Sequence, residues 1–183
     1  MINRNQALTL VKKYLNDTNI IRSSLAVEVI LRKLAKRLDE DEELWGITGL
    51  LHNIDYEFTR DEQHRRGVLS TQLLDGLLPE EGVNAIKANN YINTEYLPET
   101  SLDKALITTE AVVCLILHIM KTTTGKLFDV EKKILIEKYK DESFANHCNK
   151  NRIKLCNDNE ISIEDFLDFC LKSLQESKDD LTL

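Results

Sequence analysis

Apolar residues recur three or four positions apart along most of the chain, and this spacing is typical of helices that pack through one face. The alternation of apolar and polar residues that predicts half-buried strands is absent. A first helix is marked by Leu8, Val11, Tyr14 and Leu15. The pattern therefore predicts an all-α fold, a compact bundle of several helices.

The next two helices are predicted from apolar spacing and capping residues. A second helix carries its apolar positions at Leu25, Val29, Ile30, Leu34 and Leu38, and Ser23 or Ser24 is the expected N-cap. A third covers about residues 41–52. It opens with acidic residues, which favour a helix N-terminus, and then becomes almost wholly apolar, so we expect it to be buried.

Further helices are predicted over residues 62–77, 79–91 and 102–120, with Pro79 suited to a first helical turn. Beyond Gly125 the pattern predicts helices over residues 130–139 and 163–174, the latter capped by Ser162. The polar interval 146–159 is interpreted as a surface loop. No repeat or linker interrupts the chain.

The length of 183 residues fits one domain with a core of its own. We therefore predict a single domain over residues 1–183, with core helices over about 21–120 and a C-terminal helical extension over about 127–176.

The formal net charge of −7 argues against nucleic-acid binding, because it repels a phosphate backbone. The apolar run at residues 111–117 is short for a bilayer span, and no export signal is recognised, so a cytoplasmic protein without a membrane is expected.

Two sets of residues bear on metal chemistry. The four cysteines form no C-x-x-C pair, so no zinc site is expected at them. Residues 46–55 read GITGLLHNID, an apolar helix that ends on His52 and Asn53. Taken alone, such a pair is more often a hydrogen-bonded structural pair than a ligand pair, and its context decides between the two.

That context is a resemblance. Residues 24–57 read SLAVEVILRKLAKRLDEDEELWGITGLLHNIDYE and resemble a bacterial branch of the HD-domain phosphohydrolases, in which the segment ends LLHDIDYE. The likeness continues through His64, through AIKANN at 85–90 and LDKALITTEAV at 102–112, and to FANHCNKNRI and ISIEDFLDF near the C-terminus. It therefore covers nearly the whole chain and implies an all-α HD domain.

The resemblance also implies a set of metal positions. In the family, a histidine on an early helix, an adjacent His-Asp pair and a distal aspartate hold a divalent metal, and dinuclear members add two histidines between them. The corresponding residues here are Ser23, His52, Asn53, His64, Asn89 and Glu110. His52 and His64 match the family pattern, and the other four depart from it.

These departures weaken the expected site, because hydroxyl and amide oxygens are poorer donors to a divalent ion than imidazole and carboxylate. Without a tightly held ion, no bound water is activated as a nucleophile. We therefore expect a catalytically impaired or inactive domain that binds a small molecule or regulates, with no cofactor. The alternative is a weak metal-dependent phosphohydrolase acting on nucleotides or other phosphate esters through His52, His64 and Glu110, and a divalent metal is expected only in that case.

Polar replacements should keep the pocket hydrogen-bonding, and Asn53 and Asp55 are its remaining candidates for a catalytic role. The expected ligand is a small phosphorylated molecule. Basic residues near the mapped positions are either phosphate contacts or a solvated helix face, namely Arg22, Arg65, Arg66 and Lys87. A third hypothesis is a structural or interaction module. The sequence leaves the substrate, any protein partner and the oligomeric state open.

Overall fold

The structure, a computed structural model, describes residues 1–143 and 149–177. Over these residues it contains nine α-helices, joined by short 3-10 and π-helical turns, and no strand, which confirms the all-α prediction. In chain order the helices are α1 (Arg4–Tyr14), α2 (Thr18–Leu38), α3 (Glu42–Leu51), α4 (Val68–Leu73), α5 (Glu80–Ala88), α6 (Ser101–Ile119), α7 (Lys132–Lys140), α8 (Lys150–Ile153) and α9 (Ile163–Glu176).

Helix α6 lies at the centre of the core and packs against α2, α5, α7, α8 and α9. Its side chains Leu106, Val112 and Ile116 are fully buried. The same hydrophobic core includes Ala7 of α1 and Leu174 of α9, so helices near both ends of the described chain share it. The predicted division into core helices and a C-terminal extension stays a prediction.

Helix α6 and the turn after it, Ser101–Thr123, are long and apolar enough to cross a membrane by length and composition alone. Of the most apolar part of this segment, with a mean hydropathy of 1.6, 61% is buried inside the protein. The central helix of a packed core has the same composition, because it is apolar on nearly every face. Its burial among the other helices accounts for its hydropathy.

Side-chain caps stand at the start of three helices, and Ser162 is the one that the sequence predicts. Asp41 accepts from the backbone N–H groups of Glu43 and Leu44 at 2.9 and 3.0 Å, and Ser162 accepts from that of Asp165 at 3.2 Å. Thr100 forms a capping box at the start of α6. The expected cap of α2 is wrong. This helix begins at Thr18 with Asp17 as its N-cap, so Ser23 and Ser24 lie inside it.

The predicted helix over residues 62–77 is also wrong, because the chain turns sharply at Gly67. This glycine has a φ of 81°, a backbone conformation that interrupts a right-handed helix. The segment divides into a 3-10 turn, Gln63–Arg65, and the short helix α4. The break places a run of backbone N–H groups beside Asp55.

The surface loop predicted over residues 146–159 is helical over most of its described part. Helix α8 is followed by a 3-10 turn, Lys154–Asn159, while residues 144–148 lie outside the described residues. Ile153 and Cys156 are buried in the core. Two buried side chains spaced three apart fix this segment against α6, and the segment carries Arg152 inward.

Candidate functional site

Helix α3 carries His52 into the interior. Every residue from Leu44 to Leu51 is buried, and His52 follows as the C-cap residue with 2% of its surface exposed. Its Nδ1 lies 2.6 Å from the carbonyl oxygen of Gly49. Since a carbonyl oxygen accepts and never donates, Nδ1 carries the proton and Nε2 presents a lone pair.

Gly49 also permits the close approach of α2 and α3. A Cβ at this position would lie 2.9 Å from Cδ1 of Leu31 and 3.2 Å from the backbone of Glu28. The approach places Asn53, just beyond α3, beside α2, where its Nδ2 donates to Oγ of Ser24 at 3.4 Å. The glycine therefore determines how near the His52-Asn53 pair comes to α2.

The two serines on α2 differ in their environment. Ser24 is fully buried and bonds Asn53, whereas Ser23, which the resemblance aligns with the first metal histidine, is half-buried. The assignment of Ser23 to the pocket stays a prediction. Asn53 itself is 7% exposed, and its assignment to the pocket also stays a prediction.

Glu110 on α6 faces His52 from the other side. Its Oε1 lies 4.0 Å from Nε2 of His52, and its Oε2 accepts from Nη2 of Arg152 at 2.5 Å. The same Nη2 donates to Oδ1 of Asn89 at 2.6 Å and to the carbonyl oxygen of Asn89 at 3.0 Å. We call these four residues, His52, Asn89, Glu110 and Arg152, the Arg152 cluster.

Burial and charge set the protonation states in this cluster. Burial lowers the pKa of His52 below its ordinary value, and the nearby Glu110 carboxylate only partly opposes this effect, so the imidazole is neutral at pH 7. Burial alone would raise the pKa of Glu110, but the Arg152 guanidinium, aided by His52 and the hydrogen bonds, brings it below the ordinary value. The cluster thus holds one carboxylate and one guanidinium, with a neutral imidazole beside them.

Two polar atoms of the cluster stay without a hydrogen bond. Nε2 of His52 and Nε of Arg152 are both buried and have no partner among the described residues. An unmade hydrogen bond at a buried polar atom costs about 1–3 kcal/mol, so such atoms are uncommon in a packed interior. The first is an acceptor and the second a donor, which suits a ligand group that can do both, such as a hydroxyl.

Asp55, the second candidate for a catalytic role, is fully buried beside the Gly67 turn. Its Oδ2 accepts from the backbone N–H groups of Gly67 at 2.7 Å and Ser70 at 3.1 Å. Burial raises the pKa of Asp55 despite these bonds. Its contacts fix the turn before α4, and a catalytic role for Asp55 or Asn53 stays a prediction.

The next two residues of the quoted motif also connect parts of the fold. Glu57 accepts from the backbone N–H groups of Asn16 and Asp17 at 2.9 and 3.0 Å, between α1 and α2. Two guanidinium groups, those of Arg60 and Arg66, lie 5.3 and 4.8 Å from the centroid of the Tyr56 ring. The resemblance in this motif therefore includes residues that hold the fold together.

His64 and His52 differ in environment, because His64 is exposed on the 3-10 turn Gln63–Arg65 whereas His52 is buried. Of the other basic candidates, Arg65 pairs with Glu62, and Arg22 is exposed. The Lys87 ammonium lies 4.8 Å from the Tyr96 ring centroid, and Lys87 also lines an open cleft of about 390 Å³ between α4 and α5. Phosphate binding by these residues stays a prediction.

The donor set does not fit a tightly held divalent metal. Within residues 1–143 and 149–177, no group of three or more His, Cys, Asp or Glu side chains is spaced to hold a metal ion. His52 and Glu110 supply two donors, but Arg152 already neutralises Glu110 and would repel a second cation. The three-residue site of His52, His64 and Glu110 is untested, and its first and third members are the ones that lie close together.

A comparison with known families identifies the class to which this helical bundle belongs. The family model for the HD domain matches residues 20–136, well over half of the chain, and the chain belongs to this family. Searches of the curated proteins and of the solved structures gave no significant match. The match spans every mapped position of the site and ends before α8.

Arg152 is the site residue that sequence reasoning missed. It lies 42 residues from Glu110 and 63 from Asn89 along the chain, so no local spacing connects them. A signal was available in the segment NKNRI, where Arg152 directly precedes an apolar residue in a polar interval. Ile153 anchors this segment in the core, and the packing of α8 brings Arg152 to Glu110.

Proposed function

We propose that this HD domain binds a small polar molecule at the Arg152 cluster and does not act as a metal-dependent phosphohydrolase. The observation that supports this proposal is the guanidinium of Arg152 on Glu110, at a position that corresponds to a metal ligand in the family. A fixed organic cation there neutralises the carboxylate without supplying an activated water. The fold is kept, while the chemistry that needs the ion has no support from this donor set.

The polar atoms of the cluster indicate the chemical class of the ligand. Nε2 of His52 accepts, Nε of Arg152 donates, and the net charge of the pair Glu110 and Arg152 is zero. A hydroxyl group both donates and accepts, so it matches the hydrogen-bonding needs of these two atoms, whereas a phosphate would face the Glu110 carboxylate. A phosphorylated ligand would therefore place its hydroxyl groups inward and its phosphate toward the exposed basic residues.

A binding experiment with matched ligands tests this proposal. Isothermal titration with ribose, ribose 5-phosphate, adenosine and AMP compares hydroxyl-bearing molecules with and without a phosphate. The variant His52→Gln should weaken binding about tenfold, because a buried hydrogen bond is lost. The control His64→Gln alters an exposed residue and should leave affinity unchanged. Equal affinity in wild type and His52→Gln would contradict the proposal.

The alternative, a weak phosphohydrolase, is tested on protein purified without chelator. Elemental analysis should find less than one metal per chain, and nucleotides with added manganese, magnesium or iron should release no phosphate above the blank. Stoichiometric metal with metal-stimulated release that His64→Gln abolishes would instead support catalysis through His52, His64 and Glu110. We place the domain in the cytoplasm, and the net charge of −7 supports a small ligand over a nucleic acid.

A further inference from the structure

The Arg152 cluster receives its positive charge from a part of the chain outside the matched family region. Arg152 lies on α8, and the HD match ends at residue 136. Its side chain is 17% exposed, and one nitrogen, Nη2, donates to Glu110 and twice to Asn89. Two of the six positions mapped to metal ligands therefore converge on one guanidinium.

The segment that carries Arg152 is anchored on both sides. Before it, Nζ of Lys150 donates to the carbonyl oxygen of Asp141 at 2.7 Å, and Asn149 caps α8. After it, Ile153 is fully buried and Cys156 is 1% exposed. These contacts hold the backbone of α8 against α6. The packing of this segment therefore fixes the backbone that carries the guanidinium, so Arg152 is not a freely moving surface side chain.

We infer that Arg152 is a built-in replacement for a divalent cation, and that its guanidinium excludes metal ions from a residual site formed by His52 and Glu110. This inference rests on the proposed function, since it explains why the pocket is not metal-dependent. A guanidinium stays charged at all physiological pH values and cannot leave the protein. It therefore keeps Glu110 neutralised permanently, as a bound ion would.

The geometry of His52 supplies the independent observation. Its Nε2 lone pair is buried, has no hydrogen-bond partner among the described residues, and lies 4.0 Å from Oε1 of Glu110. Two electron-pair donors that face each other at this distance suit a shared cation or a shared hydrogen donor. Without Arg152, these two atoms and the amide oxygen of Asn89 are the donors that remain.

The variant Arg152→Met tests the inference through metal binding, with no need for activity. We expect Arg152→Met to bind Co²⁺ at least about tenfold more tightly than wild type, since the repulsion of a neighbouring unit charge is removed. Binding is followed by titration calorimetry and by the visible absorption of Co²⁺, which reports nitrogen and oxygen ligation. Adding Glu110→Gln to Arg152→Met should abolish the gain.

Two matched controls separate the site from general charge effects. Lys154→Met removes one positive charge from an exposed neighbour and should give no gain, and Arg152→Lys keeps the charge and should give little. A folded Arg152→Met that binds Co²⁺ no better than wild type would overturn the inference. So would a gain of the same size in Lys154→Met.

If Arg152→Met is unfolded without an added cation, circular dichroism tests the inference instead. Recovery of helical signal with Mn²⁺ or methylguanidinium, but not with sodium chloride of equal ionic strength, supports replacement of a cation. Absence of recovery with both would overturn it. Failure of the inference is distinguishable from failure of the proposed function, because the proposed function fails only if wild type hydrolyses phosphate esters or if its ligand affinity is unchanged in His52→Gln.

Discussion

The guanidinium of Arg152 donates to Oε2 of Glu110 at 2.5 Å, and this bond joins residues 42 positions apart in the chain. Both side chains are largely buried, with exposed fractions of 17% and 25%. A buried carboxylate with a single cationic partner depends strongly on that partner. The pair should therefore contribute measurably both to stability and to its pH dependence.

We predict that Glu110→Gln flattens the acid limb of the stability curve. Burial acts to raise the pKa of Glu110, but Arg152 outweighs it, so the folded pKa lies below the ordinary value of 4.5. An acid of this kind adds stability above its unfolded pKa, and that stability is lost as the pH falls from 4.5 through the folded pKa. Urea unfolding of wild type and Glu110→Gln between pH 3.5 and 7 measures the difference. We expect the free energy of unfolding of Glu110→Gln to be about 2 kcal/mol lower than that of wild type at pH 7.

A double-mutant cycle provides the control. If Glu110 and Arg152 interact directly, Glu110→Gln, Arg152→Gln and their combination should show a coupling energy of about 1 kcal/mol or more at pH 7. Additive losses would mean that each side chain acts alone. A wild-type slope in Glu110→Gln below pH 4.5 would contradict the pKa argument.

A pair of glycines separates backbone strain from steric contact. Gly67 and Gly76 have positive φ values of 81° and 67°, but a Cβ at Gly67 would lie 2.6 Å from the carbonyl oxygen of Ile86, whereas one at Gly76 meets nothing within 4 Å. Gly76→Ala should cost about 1 kcal/mol from strain alone. Gly67→Ala should lower the free energy of unfolding by about 2–4 kcal/mol, since the backbone at Ile86 must also move away from the new Cβ. Thermal unfolding of both variants checks the order, and equal losses would count against the contact.

Gly67 also illustrates why part of the fold escapes prediction from sequence. Residues 62–77 have helical spacing despite Gly67 and Gly76, and an isolated glycine inside such a pattern is normally tolerated. What breaks the helix is a distant contact, the hydrogen bond from the Gly67 N–H to Asp55 at 2.7 Å. By contrast, the cap Ser162 acts on its own helix, so the sequence predicts it directly.

The same distinction applies to the site. The end of α3 follows from a local run of apolar residues, and His52 was predicted at its end and is buried there. Arg152 could not be predicted, because its partners Asn89 and Glu110 lie on other helices and the polar interval around it resembles a loop. Residues that act across helices require the packing to be known.

We predict that Glu28 stabilises the junction of α1, α2 and α3. This carboxylate is 1% exposed, and it accepts from Arg4 at 2.7 and 3.1 Å and from Arg32 at 3.0 Å. Glu28→Gln should lower the free energy of unfolding by about 2 kcal/mol, because its partly buried charge-assisted bonds to two arginines are weakened. The control Glu43→Gln removes the exposed partner of Arg32, 61% exposed, and should cost less than about 1 kcal/mol. Similar losses in the two variants would contradict the assignment.

The assignment of metal positions can be tested by restoring the family's ligands. The fourfold variant Ser23→His, Asn53→Asp, Asn89→His and Glu110→Asp supplies imidazole and carboxylate donors, yet it retains the Arg152 guanidinium beside position 110. Since a unit charge at this distance repels an incoming cation, the fourfold variant should bind Mn²⁺ at least about tenfold more weakly than a fivefold variant that adds Arg152→Met.

Calorimetry with Mn²⁺, on variants whose helical content matches wild type, compares the two affinities. Stoichiometric binding in the fivefold variant would support the alignment of Ser23, Asn53, Asn89 and Glu110 with the family's ligands. These four positions lie far apart in the sequence, so donors placed there bind one ion only if the fold brings them together. No binding in either folded variant would show that this mapping is wrong. Equal binding in both would leave the mapping intact and remove Arg152 from its role, since a guanidinium that does not weaken binding cannot be the group that keeps the metal out.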